Sequence, residues 1–387
     1  MTRRPFLLTI GAILLAMASS ASPQGTKKAA GEWLMYVGTY TEHESKGIYA
    51  YRFQSSGKLM PLGLAAETSN PTFLVVDHNQ RFVYAANETS TYQGRPAGSI
   101  SAFAIDAATG HLKLLNVVSS GGPGPCHVSL DQTGKWLFAA NYNGGSLAVF
   151  PVHADGSLGD ASAFIQQSGS SVDKQRQTGP HAHSIYASPN NRFVLAADLG
   201  LDHVMVYRLD YAKGTLIAND PPFATLAPGS GPRHLAFGKD GKFVYVLSEM
   251  LATVTAFRYD ANAGSLAQTQ TVSMLPDGYK GPKSGAEIAV HPNGKFLYAS
   301  NRGHDSIAIF HIDANSGALT AAGHVSTQGK TPRNFAVDPT GAFLLAENQD
   351  SGTIVVFRID QATGALTPTG DTLSVGSPVC IVFARAR

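Results

Sequence analysis

Two histidines stand two residues apart in Pro180-His-Ala-His183. On an extended segment, side chains at i and i+2 leave the same face. One imidazole of such a pair can deprotonate a water, because histidine titrates near neutral pH. The same pair beside a carboxylate is also good metal-ligand geometry, and a third reading has the rings only capping backbone groups. Three arginines follow: Arg233 in Gly231-Pro-Arg-His234, Arg302 in Ser300-Asn-Arg-Gly303 and Arg333 in Pro332-Arg-Asn-Phe335. Planar guanidinium forks suit a carboxylate, a phosphate or the oxygen of a tetrahedral intermediate. Ion pairing with Glu249, Glu287 and Glu347 is the structural alternative, and an acid can do both by orienting an arginine towards a ligand. The chain has no Gly-rich phosphate loop, no serine nucleophile elbow and no CxxC, so nucleotide binding and triad hydrolysis have no support.

These residues lie far apart along the chain, and a repeat gathers them. Gly-x-Leu recurs at Gly57, Gly110, Gly156, Gly214, Gly264, Gly317 and Gly364. A turn, usually with proline, leads into an apolar run at Pro71, Pro125, Pro180, Pro232, Gly285, Pro332 and Pro378. A third signature sets aromatic-apolar alternation after a turn, as in Lys242-Phe-Val-Tyr-Val and Lys295-Phe-Leu-Tyr-Ala. The period is roughly 52 residues, the length of a propeller blade rather than a helical solenoid unit. Every apolar run is short, β-branched or aromatic, and bounded by turn residues, which are strand signals. Residues 287–290, 296–300 and 306–312 read as strands A, B and C of one unit, with D after Gly317. Four antiparallel strands repeated seven times predict a seven-bladed β-propeller.

The ends support that reading. The first blade starts at strand B, over 33–40, and has no A before it; a lone A strand over 378–383 ends the chain. The last strand therefore closes the first blade and leaves no sheet edge at the seam. In a propeller the A strands line the channel, so A starts and B ends share one face of the disc. That rule places Cys126, His127, His181, His183, Arg233, His234, Glu287, Arg333 and Asn334 beside Glu88, Asn141, Tyr142, Asp198, Glu249, Asn301, Arg302, Glu347 and Asn348. A concave mouth with convergent polar groups is the default ligand site. His127, Asp198 and His234 also suit bonds that join blades. His78, His153, His203, His291 and His311 read as outer-surface or loop residues.

The chain has 387 residues, 14% of them charged, with a formal charge of +2. That balance argues against nucleic acid as a partner. Residues 1–21 join Arg3 and Arg4 to the apolar run Phe6–Met17 and a small-residue exit, an export signal whose start resembles the twin-arginine type. Residues 22–32 read as a flexible segment and 33–387 as one propeller domain. Export predicts a periplasmic or secreted protein, with no membrane contact once the leader is removed. Cys126 and Cys380 fall on inner strands of non-neighbouring blades and read as separate buried thiols.

Tyr36-Val-Gly-Thr-Tyr-Thr41 with Ser45-Lys-Gly-Ile-Tyr49, Pro180-His-Ala-His183, Gly231-Pro-Arg-His234, Ser248-Glu249, Ser300-Asn-Arg-Gly303, Pro332-Arg-Asn-Phe335 and Asn348-Gln349 resemble the β-propeller lactonase family. The resemblance covers residues 33–385. Members include propeller-type 6-phosphogluconolactonases and fungal carboxymuconate lactonising enzymes. It implies a metal-independent site at one end of the channel. The muconate branch implies a His, a Glu and two Arg, which fall here on the His181/His183 pair, Glu249, Arg233 and Arg302. The expected activity is hydrolysis of a sugar lactone, with histidine activating water and Arg233 and Arg302 stabilising the oxyanion. His127, His234, Glu287 and Arg333 would contact substrate, Arg333 through a carboxylate or phosphate. No cofactor or metal is expected; the partner is a small anionic lactone, and the protein a monomer or weak oligomer. The alternatives are a non-catalytic exported propeller that binds a small anionic or cell-envelope ligand, and a metal-dependent lactonase.

Overall fold

The computed structural model describes residues 1–2, 32–41 and 44–386. The leader over 1–21 and the segment 22–32 lie outside the described residues, except for Met1, Thr2 and Glu32. From Trp33 the chain forms seven four-stranded antiparallel sheets, the β-propeller expected. The C-terminal strand Pro378–Arg385 pairs with Trp33–Thr39, followed in the same sheet by Gly47–Phe53 and Leu59–Glu67. Blade 1 is therefore built from both ends of the propeller. Blade 6 has strands Gly285–Val290, Phe296–Asn301, Ser306–Ile312 and Leu319–Ser326, so its inner strand starts two residues before the expected Glu287.

The apolar core is a set of layers between blades. Leu34 and Tyr36 of blade 1 pack with Val83 and Ala85 of blade 2. Met35 and Val37, on the opposite face of the same strand, pack with Phe343 and Leu345 of blade 7. The second strand of a blade is thus buried on both faces, which explains runs such as Phe-Val-Tyr-Val-Leu with no polar alternation. Full burial of each such Phe, Leu or Val contributes about 1.5–3 kcal/mol. The closing seam is packed by the same kind of layer as the other joints.

One feature of the inner strands positions the site. In every blade the ladder between the first and second strands slips at the mouth, leaving one extra residue on the inner strand. Pro71 faces Asn87 while Phe73 faces Ala86, which leaves Thr72 over. The same slip falls at Cys126, His183, Arg233–His234, Ala286–Glu287, Arg333 and Val379. A β-bulge breaks the in-out alternation and re-aims a side chain. Seven bulges arranged around one axis turn adjacent residues into the opening.

Candidate functional site

A narrow cavity on the axis is lined by Thr72, Cys126, Arg233, His234, Arg333 and Val379, with Phe73, Glu88 and Asn334. Its floor is closed by rings. Phe73 meets His127 at 4.2 Å between centroids and reaches across from blade 2 to His234 of blade 5 at 5.6 Å. His234 Nδ1 lies 3.0 Å from both carboxylate oxygens of Glu287. Glu287 also accepts from Asn334 Nδ2 at 2.7 Å and from the Ile288 N–H at 2.8 Å. Burial pushes Glu287 up to about 7 against the pull of Arg233. Burial lowers His127 and His234, helped for both by Arg233. The expected substrate contacts His127, His234 and Glu287 therefore form a buried polar floor. His234 with Glu287 also joins blades 5 and 6, the alternative considered for that histidine.

Above the floor sits a carboxylate among guanidinium groups. Glu249 Oε2 is 3.3 Å from Arg233 Nε and 2.8 Å from Arg302 Nη2. Its Oε1 accepts from Arg176 Nη2 at 2.8 Å, and the same nitrogen donates to the Tyr142 hydroxyl at 3.0 Å. Burial alone would raise the Glu249 carboxyl, but Arg302, Arg233 and Arg176 hold it down at about 2. Arg233 is pushed down to about 10 by burial and by Arg302 and Arg333, and so remains a cation at neutral pH. Backbone carbonyls fix both inner arginines: Arg233 Nη1 donates to Ala286 at 2.5 Å and Arg302 Nη2 to Gly285 at 3.0 Å. The Nε–H groups of Arg233 and Arg302 are buried and have no hydrogen-bond acceptor among the described residues. The contact from Arg233 Nε to Glu249 is an ion pair without hydrogen-bond alignment.

His181 and His183 do not occupy alternate positions of one regular strand, as the spacing suggested. His181 precedes the strand Ala182–Ala187, and the bulge falls at His183, between Ala182 paired with Asp198 and Ser184 paired with Ala197. Both rings still meet Tyr142. His181 stacks on it at 4.6 Å, with Nδ1 3.0 Å from the Tyr142 carbonyl oxygen, and His183 meets it edge to face at 5.3 Å. His183 also packs against His234 at 5.2 Å, and its Nδ1 faces Cys126 Sγ at 3.8 Å. Burial, then Arg233, His234 and Arg333, hold His183 well below the usual histidine range. Among the described residues no group of three or more His, Cys, Asp or Glu side chains is arranged to hold a metal ion.

Arg333 lines the opposite wall, where Nη2 donates to the Tyr40 hydroxyl at 2.9 Å and the guanidinium lies 5.4 Å from the ring centre. Tyr40 in turn donates to Glu88 Oε2 at 3.0 Å, which also accepts from Thr72 Oγ1 at 2.7 Å. The mouth rule missed Tyr40 and Thr72, and it missed Arg176 altogether. Arg176 lies in the segment between Gly156 and Gly214, the longest spacing in the repeat, and that extra length was its only signal.

Other polar residues collected by the rule serve the fold. Asn141, Asn301 and Asn348 each donate to a carbonyl at the end of the preceding blade, namely Ser120, Met274 and Thr327, and Asn87, which the rule did not collect, does the same to Ser69. Asp198 does not join blades, since Oδ1 accepts the N–H groups of His181, Gly200 and Leu201 within its own. Glu347 is fully buried and makes no ion pair with an arginine among the described residues. His291 lies in the loop after Gly285–Val290, as one half of that reading has it, but it is buried rather than on the outer surface, with Nε2 2.8 Å from the Gly341 carbonyl oxygen. Cys126 and Cys380 are free, buried thiols, as the register predicts.

Three comparisons bear on this arrangement. The family model described as "Lactonase, 7-bladed beta-propeller" matches residues 34–383. A 6-phosphogluconolactonase of Bacillus subtilis is 38% identical over 353 residues, which is 91% of this chain and 98% of that one. A solved structure of the periplasmic gluconolactonase of Pseudomonas aeruginosa is 36% identical, with a TM-score of 0.87 over 92% of this chain and 100% of that one.

Proposed function

The chain belongs to the lactonase family of seven-bladed β-propellers, and from that premise we propose that this lactone hydrolase opens a sugar lactone at the Glu249 cluster. The observation that carries the reading is the pair of buried Nε–H donors on Arg233 and Arg302, which lack an acceptor beside a carboxylate that fixes both arginines. An unpaired buried donor costs about 1–3 kcal/mol. Donors left in that state stabilise an oxygen that gains charge during reaction more than they stabilise the starting carbonyl.

His183 is the base in this reading. Its Nδ1 faces Cys126, so Nε2 is the nitrogen left to take a proton, and its lowered proton affinity keeps the ring neutral at pH 7. Nε2 accepts a proton from water as the water oxygen bonds to the lactone carbonyl carbon. The carbonyl oxygen becomes the oxyanion and accepts from Arg233 and Arg302. Collapse breaks the bond from that carbon to the ring oxygen, which takes the proton back from His183 and leaves a hydroxy acid. Negative charge on the intermediate offsets the unfavourable imidazolium. Glu249 holds the two donors in place, and Arg333 lines the wall against the sugar ring. His181, stacked on Tyr142, positions that ring.

The leader over residues 1–21 makes this an exported enzyme, a reading supported by similarity to a periplasmic gluconolactonase. The test is a pH-stat assay of purified protein on gluconolactone and 6-phosphogluconolactone. Proton release above the spontaneous rate is expected, and loss of it in Arg302→Ala. Release no faster than in buffer, on both lactones, would leave a ligand-binding propeller.

A further inference from the structure

Three guanidinium groups hold Glu249, and only one of them can leave. The Arg233 side chain is 3% exposed and that of Arg302 is 14% exposed, and both are tied to backbone carbonyls. The Arg176 side chain is 45% exposed, and among the described residues its polar partners are two side-chain oxygens, on Glu249 and Tyr142. Its backbone, by contrast, is pinned. Asp173 Oδ1 accepts the N–H groups of Gln175 and Arg176 at 2.8 and 2.9 Å, and Gln177 Nε2 donates to the Leu199 carbonyl and to Asp202 Oδ1, both at 2.8 Å. A mobile cation is thus carried over the mouth by a fixed loop.

Charge decides where it goes. When Arg176 swings away, Glu249 still has Arg233 and Arg302, so its carboxylate stays paired at both ion-pair contacts to Oε2. Arg333 has no such freedom, because it is held on Tyr40, whose hydroxyl serves Glu88. An anion arriving at Arg333 would have to compete with that carboxylate. We propose that Arg176 is the specificity-determining residue of the mouth, transferring its guanidinium from Glu249 Oε1 to an oxyanion substituent of the lactone, on the side of the sugar remote from the carbonyl. The proposal rests on the lactonase reading for the orientation of the sugar. It moves the carboxylate- or phosphate-binding role expected of Arg333 to a residue from a loop. A planar fork accepts either oxyanion through two parallel hydrogen bonds, a geometry that lysine cannot reproduce.

The test separates binding from turnover. Calorimetric titration of wild type, Arg176→Gln and Arg176→Lys uses gluconate, glucarate and 6-phosphogluconate, three open-chain acids that differ at the far end. Wild type should bind glucarate and 6-phosphogluconate, which carry a second oxyanion at the far end, about tenfold or more tighter than gluconate, the range of one charge-assisted hydrogen bond. Arg176→Gln should bind all three alike, and Arg176→Lys should retain part of the preference. A preference that survives in Arg176→Gln, or is missing from wild type, overturns the proposal. Because ligand binding is read without catalysis, an enzyme that opens no lactone sinks the functional reading and still leaves this comparison decisive. Melting curves of the variants should stay close to wild type, since the buried Glu249 carboxylate keeps Arg233 and Arg302 when the half-exposed Arg176 contact is lost.

Discussion

Gly264, in the turn between the third and fourth strands of blade 5, lies against the ring of Phe193 at the start of the second strand of blade 4. With φ at +69°, it occupies a conformation that glycine adopts without cost, and a Cβ there would run into the ring. The seam uses the same contact, with Gly57 of blade 1 against Phe343 of blade 7. Gly264→Ala should therefore destabilise by about 2 kcal/mol or more, combining backbone strain with overpacking. Urea unfolding checks it. In a Phe193→Ala background, which by itself loses a buried ring, the added cost of Gly264→Ala should shrink to the backbone part, because the strain persists when the overpacking is gone.

The repeat was legible because six of the seven blades restate this contact with an aromatic ring, while Gly110 of blade 2 meets Leu62 instead. Gly-x-Leu marks the turn, the aromatic after Lys242 or Lys295 marks its partner, and the missing first strand at Trp33 marks the closure. Arg233, Glu249 and Arg302 could be found because inner-strand starts and second-strand ends must share a face. What no local pattern reveals is the bulge. Thr72, Cys126 and His183 look like ordinary strand residues, and only ladders formed across the blade show that one residue is left over. The asparagines misled for the opposite reason: they meet the mouth rule, yet carbonyls of the preceding blade claim them. Arg176 belongs to no repeat, so the rule could not reach it.

Arg233→Ala should raise the barrier to lactone opening by about 2.7–4 kcal/mol, the range for loss of one oxyanion donor. That is roughly a 100- to 1,000-fold fall in kcat. The change should appear in kcat more than in KM, since the donor stabilises charge that develops only in the transition state. Steady-state kinetics on a lactone that wild type turns over gives the split. Full turnover by the variant would remove Arg233 from the mechanism.

The pH profile should show where the base titrates. His183 must be neutral to accept a proton, and burial together with Arg233, His234 and Arg333 lowers its proton affinity. As pH falls, the active fraction is lost only when the folded ring protonates, so the acid limb of kcat/KM should lie well below 6.5. The ring also packs on Tyr142 and Cys126, and neither is a carboxylate that would raise it. Arg333→Gln removes one cation without touching the proposed donors and should move the limb upward. A wild-type limb at or above 6.5 would exclude His183 as the base.

Glu347 sets the last expectation. It sits on the second strand of blade 7 opposite Asn334, where blades 2, 3 and 4 carry Ala86, Ala140 and Ala197. Both of its carboxyl oxygens are buried without a hydrogen-bond partner among the described residues. Burial, with Glu287 adding to it, raises its proton affinity well above the ordinary carboxylate value of 4.5. A carboxyl raised on folding stabilises nothing at alkaline pH. Its penalty is absent below 4.5 and grows as pH climbs towards the folded value, by about 1.4 kcal/mol per unit. Glu347→Met, which keeps the length and removes the orphaned oxygens, should stabilise the propeller by about 1–3 kcal/mol. The gain should be smallest near pH 4.5 and widen towards pH 8 in paired thermal melts. A gain that shrinks with rising pH would mean that the folded protein holds Glu347 as a carboxylate.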